Sequence, residues 1–221
     1  MIQKPFRTAV VLAGCGSKDG SEIHESVCTL LAIDRLGGVY QCFAPDMEQY
    51  QVINFLTDEV VEEKRNTLLE AARIARGDIK PLSEFQADDF DALMIPGGLG
   101  GAAMNLSSFA RDGEHMTVHP ELEAAIKALR AQGKPIAALC IAPVILAKLI
   151  PGVEVTFGQS EDVNAIARKW GAIPKNTTPG EIVVDQRHKV ATAPCYMLET
   201  HIRHVADEAE KCVRALAGFL S

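Results

Sequence analysis

With 221 residues, 48% of them hydrophobic, the chain has ample apolar material for a large core, while 5% aromatics is too little for a nucleic-acid stacking platform. A formal net charge of −7 also disfavours polyanions, so nucleic acid is not expected as a partner. The six cysteines, at 15, 28, 42, 140, 195 and 212, form no CxxC and mostly sit in apolar segments, which suits a reduced cytoplasmic interior better than a disulfide framework.

The chain starts with basic residues, but the apolar run that follows is too short for a signal-peptide core. No run approaches the roughly 18 apolar residues needed to span a bilayer. The expectation is a soluble, cytoplasmic protein without a membrane partner.

Residues 8–13 (TAVVLA) read as a continuous apolar strand of the kind buried on both faces in a parallel sheet. The glycine-rich GCGSKDG (14–20) follows. A helix is predicted from Ser21, with Ser21 as N-cap, Glu22 and Glu25 in the first turns, and an apolar face of Ile23, Val27, Leu30, Leu31 and Leu36. Gly37-Gly38 stops it. Residues 39–44 form a second strand, 45–57 a loop with one helical turn, 60–76 a helix and 78–82 an edge strand. DALMI (91–95) is a central strand running into Pro96-Gly97-Gly98. An amphipathic helix over 120–131 precedes the strand 135–139, then Cys140, then a helical pattern with Pro143 in its first turn, where proline has no N–H to lose. A short strand near 153–157, a helix over 161–170, a hairpin of 182–185 with 189–193, and a helix over 199–219 complete the chain. This alternation predicts an α/β fold, a mainly parallel sheet with helices on both faces, as one domain over 1–221.

In such sheets ligands bind at the carboxyl ends of the strands. Three of those ends carry chemistry: 14–25, 96–101 and 140–141. Strand, single residue, helix is the layout of a nucleophile elbow, and a cysteine at a helix N-terminus is biased toward thiolate. The alternative is that Cys140 is a small buried core residue. Two glycines at 97 and 98 let backbone N–H groups approach a ligand, as an oxyanion site requires, although a plain turn also uses them. GCGSKDG has GxGxxxG rather than GxGxxG spacing, its nearest ribose-binding acid (Asp46) lies too far on, and no GK[ST] ends it. A tight turn is the better reading there. His115 and His119 have helical spacing but sit between Gly113 and Pro120. His201 and His204 lie beside Glu208 on a face read as solvated, so no metal site is expected.

These loops carry a family resemblance. Ala13-Gly14-Cys15-Gly16, DGSEIHE (19–25), CFAPD (42–46), Arg65-Asn66 with EAARI (70–74), Pro96-Gly97-Gly98, Asn105-Leu106-Ser107, CIAP (140–143) and Pro194 with Tyr196-Met197-Leu198 stand as they do in one superfamily. Over essentially its whole length the chain resembles the ThiJ/PfpI branch of the class-I glutamine-amidotransferase-like superfamily, and within it the ElbB group of isoprenoid-biosynthesis or glyoxalase proteins. The resemblance implies a flavodoxin-like three-layer sandwich and a homodimer. It implies Cys140 as a strained elbow nucleophile and Glu25 as the carboxyl one hydrogen bond from its sulfur, with Glu22 a poorer match. The amides of Gly98 and Ile141 would be oxyanion donors beside Gly97, each worth roughly 3 kcal/mol in a transition state. Asn105 and Pro194 would support the site.

One departure matters. Many members carry a histidine 18 to 20 residues after the cysteine, but residues 156–160 here read TFGQS. Without that base, glutamine hydrolysis by a Cys–His–acid triad is not expected. The resemblance implies instead a glutathione-independent, cofactor-free glyoxalase converting a small dicarbonyl, glyoxal, to glycolate. The alternatives are a cysteine-based redox or electrophile sensor, and a deglycase or hydrolase of another small carbonyl compound.

Overall fold

The computed structural model describes residues 5–220; the first part of the basic start, residues 1–4, lies outside the described residues. The first apolar run forms β1 (Arg7–Val11), followed by α1 (Ile23–Arg35) and β2 (Val39–Ala44). A small hairpin, β3 (Ile53–Asn54) with β4 (Glu59–Val60), precedes α2 (Thr67–Ile74), β5 (Ile79–Pro81) and β6 (Ala92–Ile95). Then come a π-helical turn (Leu99–Asn105), α3 (Phe109–Asp112), α4 (Pro120–Ala131), β7 (Ile136–Leu139) and α5 (Pro143–Leu149). The last third holds β8 (Glu154–Val155), α6 (Glu161–Lys169), β9 (Ile173–Pro174), β10 (Val183–Asp185), β11 (Val190–Ala193) and α7 (Ile202–Gly218).

Seven strands make one sheet in the order β10-β11-β7-β6-β1-β2-β5, parallel throughout except for the β10–β11 hairpin. The central strands are buried on both faces, which is why 9–13, 92–95 and 136–139 read as unbroken apolar runs rather than alternating ones. Helices cover both faces, giving the expected three-layer α/β sandwich of flavodoxin-like type. β1, β6 and β7 are neighbours, so their carboxyl ends bring the first loop, Pro96-Gly97-Gly98 and Cys140 to one place.

Three local expectations are corrected. The helix predicted over 60–76 shrinks to Thr67–Ile74, because Asn66 starts it by accepting from the N–H groups of Leu68 and Leu69 at 2.9 and 3.0 Å. Upstream, the Val61 N–H goes to the Val52 carbonyl and the Arg65 carbonyl accepts from Gln49, so these backbone groups serve cross-chain bonds instead of a helix. Ser21 is not an N-cap: its Oγ accepts from the Ala13 N–H at 2.9 Å, and Glu22 caps α1 through the Glu25 N–H at 2.7 Å. The face of α1 also differs. Ile23, Val27 and Leu31 are 42%, 48% and 41% exposed, while Glu25, Ser26, Thr29, Leu30 and Ile33 are buried. The helix is turned so that Glu25 faces the strand ends and the small polar residues pack inward.

Candidate active site

Cys140 has φ of 60°, in the left-handed region that side chains rarely adopt. Such a conformation costs on the order of 1–3 kcal/mol and persists only where its surroundings over-determine it. Here the Cys140 N–H donates to the Ala193 carbonyl at 2.8 Å, the Ala142 N–H returns to the Leu139 carbonyl at 2.9 Å, and α5 begins at Pro143. The connection is thus three residues, 140–142, rather than the single residue expected, and within it only Cys140 takes the left-handed conformation. Its sulfur, in a residue 7% exposed, accepts from the N–H groups of Gly98 and Ile141 and is hydrogen-bonded to the Glu25 carboxyl.

Glu25 is fully buried in the first turn of α1. Its Oε2 accepts from the Gly97 N–H at 2.9 Å and its Oε1 from the Tyr196 N–H at 3.4 Å. Burial above all, then the nearby charge of Glu22, pushes its pKa up to about 8, against the pull of the Tyr196 amide, the Cys140 hydrogen bond and the Gly97 amide. Burial and then the Glu25 charge push the Cys140 thiol well up, with the Gly98 and Ile141 amides pulling the other way. The bias toward thiolate expected of a helix N-terminus is thus outweighed, since α5 is only 7 residues long and the sulfur is deeply buried. At neutral pH Glu25 is mostly protonated and the Cys140 thiol keeps its proton, and an ionised Glu25 disfavours the thiolate further.

Glycine at 97 is a steric requirement. A Cβ there would lie 2.4 Å from the Cys140 Cβ and 2.6 Å from Glu25 Oε2. Gly98 has φ of 105°, and a Cβ would lie 2.4 Å from the Gly20 carbonyl oxygen, so the loop rests directly on the first one. The structure thus brings together Cys140, Glu25, Gly97, Gly98 and Ile141. Glu22 braces them, with its N–H on the Gly97 carbonyl at 2.9 Å and its carboxylate on the Glu25 N–H. Pro194 heads the short 3-10 turn Cys195–Met197 that carries the Tyr196 amide. Asn105 serves the neighbouring loops, accepting from the Tyr50 N–H at 2.9 Å and donating to the Asp19 carbonyl at 3.3 Å.

Where the resemblance left a histidine missing, a threonine network stands. The Thr156 N–H donates to Thr192 Oγ1 at 3.0 Å, the Thr156 and Thr177 hydroxyls are 2.7 Å apart, and the Gly158 N–H donates to Thr156 Oγ1 at 3.0 Å. Leu198 packs on Gly158 so closely that even a Cβ would lie 2.7 Å from it. Glu208 is a correction: placed on a solvated face with His201 and His204, it is fully buried. Sequence reasoning also assigned nothing to the Tyr196 amide, because a backbone donor leaves no trace in residue type. Among the described residues, no group of three His, Cys, Asp or Glu side chains has the geometry to hold a metal ion.

A mostly parallel sheet with a cysteine on a strand-to-helix reversal, set against a buried carboxyl, defines an amidotransferase-like protein. The chain is 44% identical over 216 residues to the "ES1 protein homolog, mitochondrial" of Rattus norvegicus, covering 91% of this chain and 79% of that protein. It is 42% identical over 221 residues to the human "Glutamine amidotransferase-like class 1 domain-containing protein 3, mitochondrial", covering 94% and 81%. The crystal structure of an isoprenoid biosynthesis protein with amidotransferase-like domain from Ehrlichia chaffeensis superposes with a TM-score of 0.91 at 34% identity, over 98% of this chain and 100% of that one. The chain belongs to this ES1, glutamine amidotransferase-like class 1 family, as the resemblance implied. No family model matches it. Glyoxalase III from Candida albicans, at 14% identity and a TM-score of 0.63 over 95% and 97% of the two chains, shares the fold alone.

The cytoplasmic expectation is overturned, since the rat and human relatives are both mitochondrial proteins. Free thiols and an acidic composition describe a reducing, aqueous compartment, and composition does not separate one such compartment from another. Among the described residues, no helix is long and apolar enough to cross a membrane.

Proposed function

We propose that this protein is a glutathione-independent glyoxalase that converts glyoxal to glycolate, with Cys140 as nucleophile and Glu25 as acid and base. One observation carries the reading: a thiol with two amide donors on its sulfur lies in hydrogen-bond contact with a carboxyl whose pKa is near 8. A carboxyl tuned to that range both gives and takes protons at physiological pH. In the molecules whose Glu25 is ionised, a sizeable fraction at a pKa near 8, the Cys140 sulfur adds to one aldehyde carbon and its proton passes to the Glu25 carboxylate, which returns it to the new oxygen, giving a hemithioacetal. The Gly98 and Ile141 amides, released from the sulfur as it forms the C–S bond, face the developing oxyanion. Glu25, again a carboxylate after that transfer, removes the proton from the thiol-bearing carbon and delivers it to the second carbon. This produces a thioester of glycolate, and one water hydrolyses it to glycolate and the free thiol. Atoms balance as glyoxal plus water giving glycolic acid.

The glyoxalase III fold likeness gives this chemistry a precedent on the same scaffold, though not at this level of identity. A homodimer also belongs to this proposal. The exposed row Ile23, Val27 and Leu31 on α1 supports it, and the mass in solution tests it. The activity test is glycolate formation from glyoxal, read by NMR. Wild type should turn over, while Cys140→Ser and Glu25→Gln should not. Full activity in Cys140→Ser would sink the scheme.

A further inference from the structure

The turn that hands an amide to Glu25 is itself held from behind. Its first residue, Cys195, has φ of 43°, a second left-handed conformation on a side-chain-bearing residue. That strain needs an external restraint. Glu208, from the second turn of α7, supplies one: its Oε2 accepts from the Cys195 N–H at 2.6 Å, and its Oε1 from the Gly180 N–H at 2.6 Å. The side chain is fully buried, and no ion pair reaches it among the described residues. An uncompensated buried carboxylate is costly, so two short amide bonds are the groups that make it tolerable. The next amide along the turn, that of Tyr196, donates to Glu25 Oε1 at 3.4 Å. Two successive amides of one turn are therefore each taken by a buried glutamate side chain, one from α7 and one from α1.

We infer that Glu208 is a positioning residue: by gripping the Cys195 amide it fixes the turn that presents the Tyr196 amide to Glu25. This rests on the reading of Glu25 as the acid and base. An acceptor on both oxygens is required, because two N–H donors converge on the carboxylate. Glutamine would set its own NH2 against one of them. The ionisable groups that act on Glu25 or respond to it are Glu22 and Cys28 on α1, Cys140 after β7, and Cys195 and Tyr196 on the turn. Glu208 reaches Glu25 through the turn and not by contact.

The test is a carbon-13 NMR titration of glutamate-labelled protein, with the Glu25 carboxyl assigned by its loss in Glu25→Gln. Losing a hydrogen bond of about 1 kcal/mol to the charged form should raise the Glu25 midpoint in Glu208→Gln by about 0.5–1 unit. A folded Glu208→Gln protein with lowered Tm and an unmoved Glu25 midpoint would overturn the inference and leave Glu208 a merely structural residue. Where Glu208→Gln does not fold, amide hydrogen exchange on the wild type decides. Cys195 and Tyr196 should be protected as strongly as the β7 amides, and exchange of the Tyr196 amide at loop rates overturns the inference. Neither readout needs turnover. A wild type inert toward glyoxal therefore defeats the glyoxalase reading alone, and an unmoved midpoint in an active enzyme defeats this one alone.

Discussion

The Gly97 amide donates to Oε2 of Glu25 at 2.9 Å across 72 residues of sequence. That bond ties the loop after β6 to the first turn of α1, with the Cys140 Cβ lying against Gly97 on the same side. The contact leaves no room for a side chain at 97. Gly97→Ala should push the loop off both Cys140 and Glu25. A displacement near 1 Å at reacting groups costs about 100-fold in turnover, and overpacking costs about 1–3 kcal/mol of stability. Glyoxal kinetics and urea unfolding of this variant check both figures. Near-normal values in each would show that the loop is softer than its contacts imply.

Glu25 makes stability pH-dependent in an unusual direction for a carboxyl. Its ordinary pKa of 4.5 is raised to about 8 by burial, so the folded state keeps a proton that the unfolded state has released. The contribution is fully present below about pH 4.5 and is lost as pH rises through about 8, at roughly 1.4 kcal/mol per unit in between. Glu25→Gln removes this slope. Relative to wild type, the variant should therefore gain stability steadily from pH 5 to 8 and no further above it. Parallel urea curves at several pH values would reveal a constant difference if the assignment is wrong.

The thiol should respond to the same charge. Burial raises Cys140 first and ionised Glu25 adds to it, while the Gly98 and Ile141 amides oppose both. Above pH 8, removing the carboxylate leaves burial alone against the two amides. Cys140 in Glu25→Gln should then react with iodoacetamide several-fold faster than in wild type, as peptide-resolved mass spectrometry can follow for each of the six cysteines. Equal or slower labelling in the variant would contradict the coupling.

Asn66 is the device that shortens α2. Its Oδ1 caps the helix at Leu68 and Leu69, and its Nδ2 donates to Asp46 Oδ1 at 2.7 Å. Asn66→Ala should cost about 1 kcal/mol, with Asn66→Asp largely restoring the cap. Chemical denaturation measures it, and an unchanged midpoint for Asn66→Ala would mean that the backbone bonds from Gln49 to Arg65 and from Thr67 to Met47 hold the helix start without its cap.

Much of this molecule follows from sequence because its signals are local. The unbroken apolar runs at 92–95 and 136–139 mark strands buried on both faces, and Pro143 marks a helix start three residues beyond Cys140. The glycines at 97 and 98 read from the residues as a turn open to a ligand, but the role of Glu25 follows only from the family resemblance, because nothing local says which carboxyl on α1 turns inward. The visible apolar row of that helix, Ile23, Val27 and Leu31, in fact points outward. Helix propensity over 60–66 is overruled by backbone bonds to Gln49 and Val52, and Glu208 reads in sequence as a solvated surface acid beside two histidines. What the tertiary structure alone decided is the set of backbone amides around the carboxyl and the sulfur. A main-chain N–H is the same at every residue, so its role appears only once β7 and β11 pair with Leu139 opposite Ala193 and bring the 195–197 turn against α1.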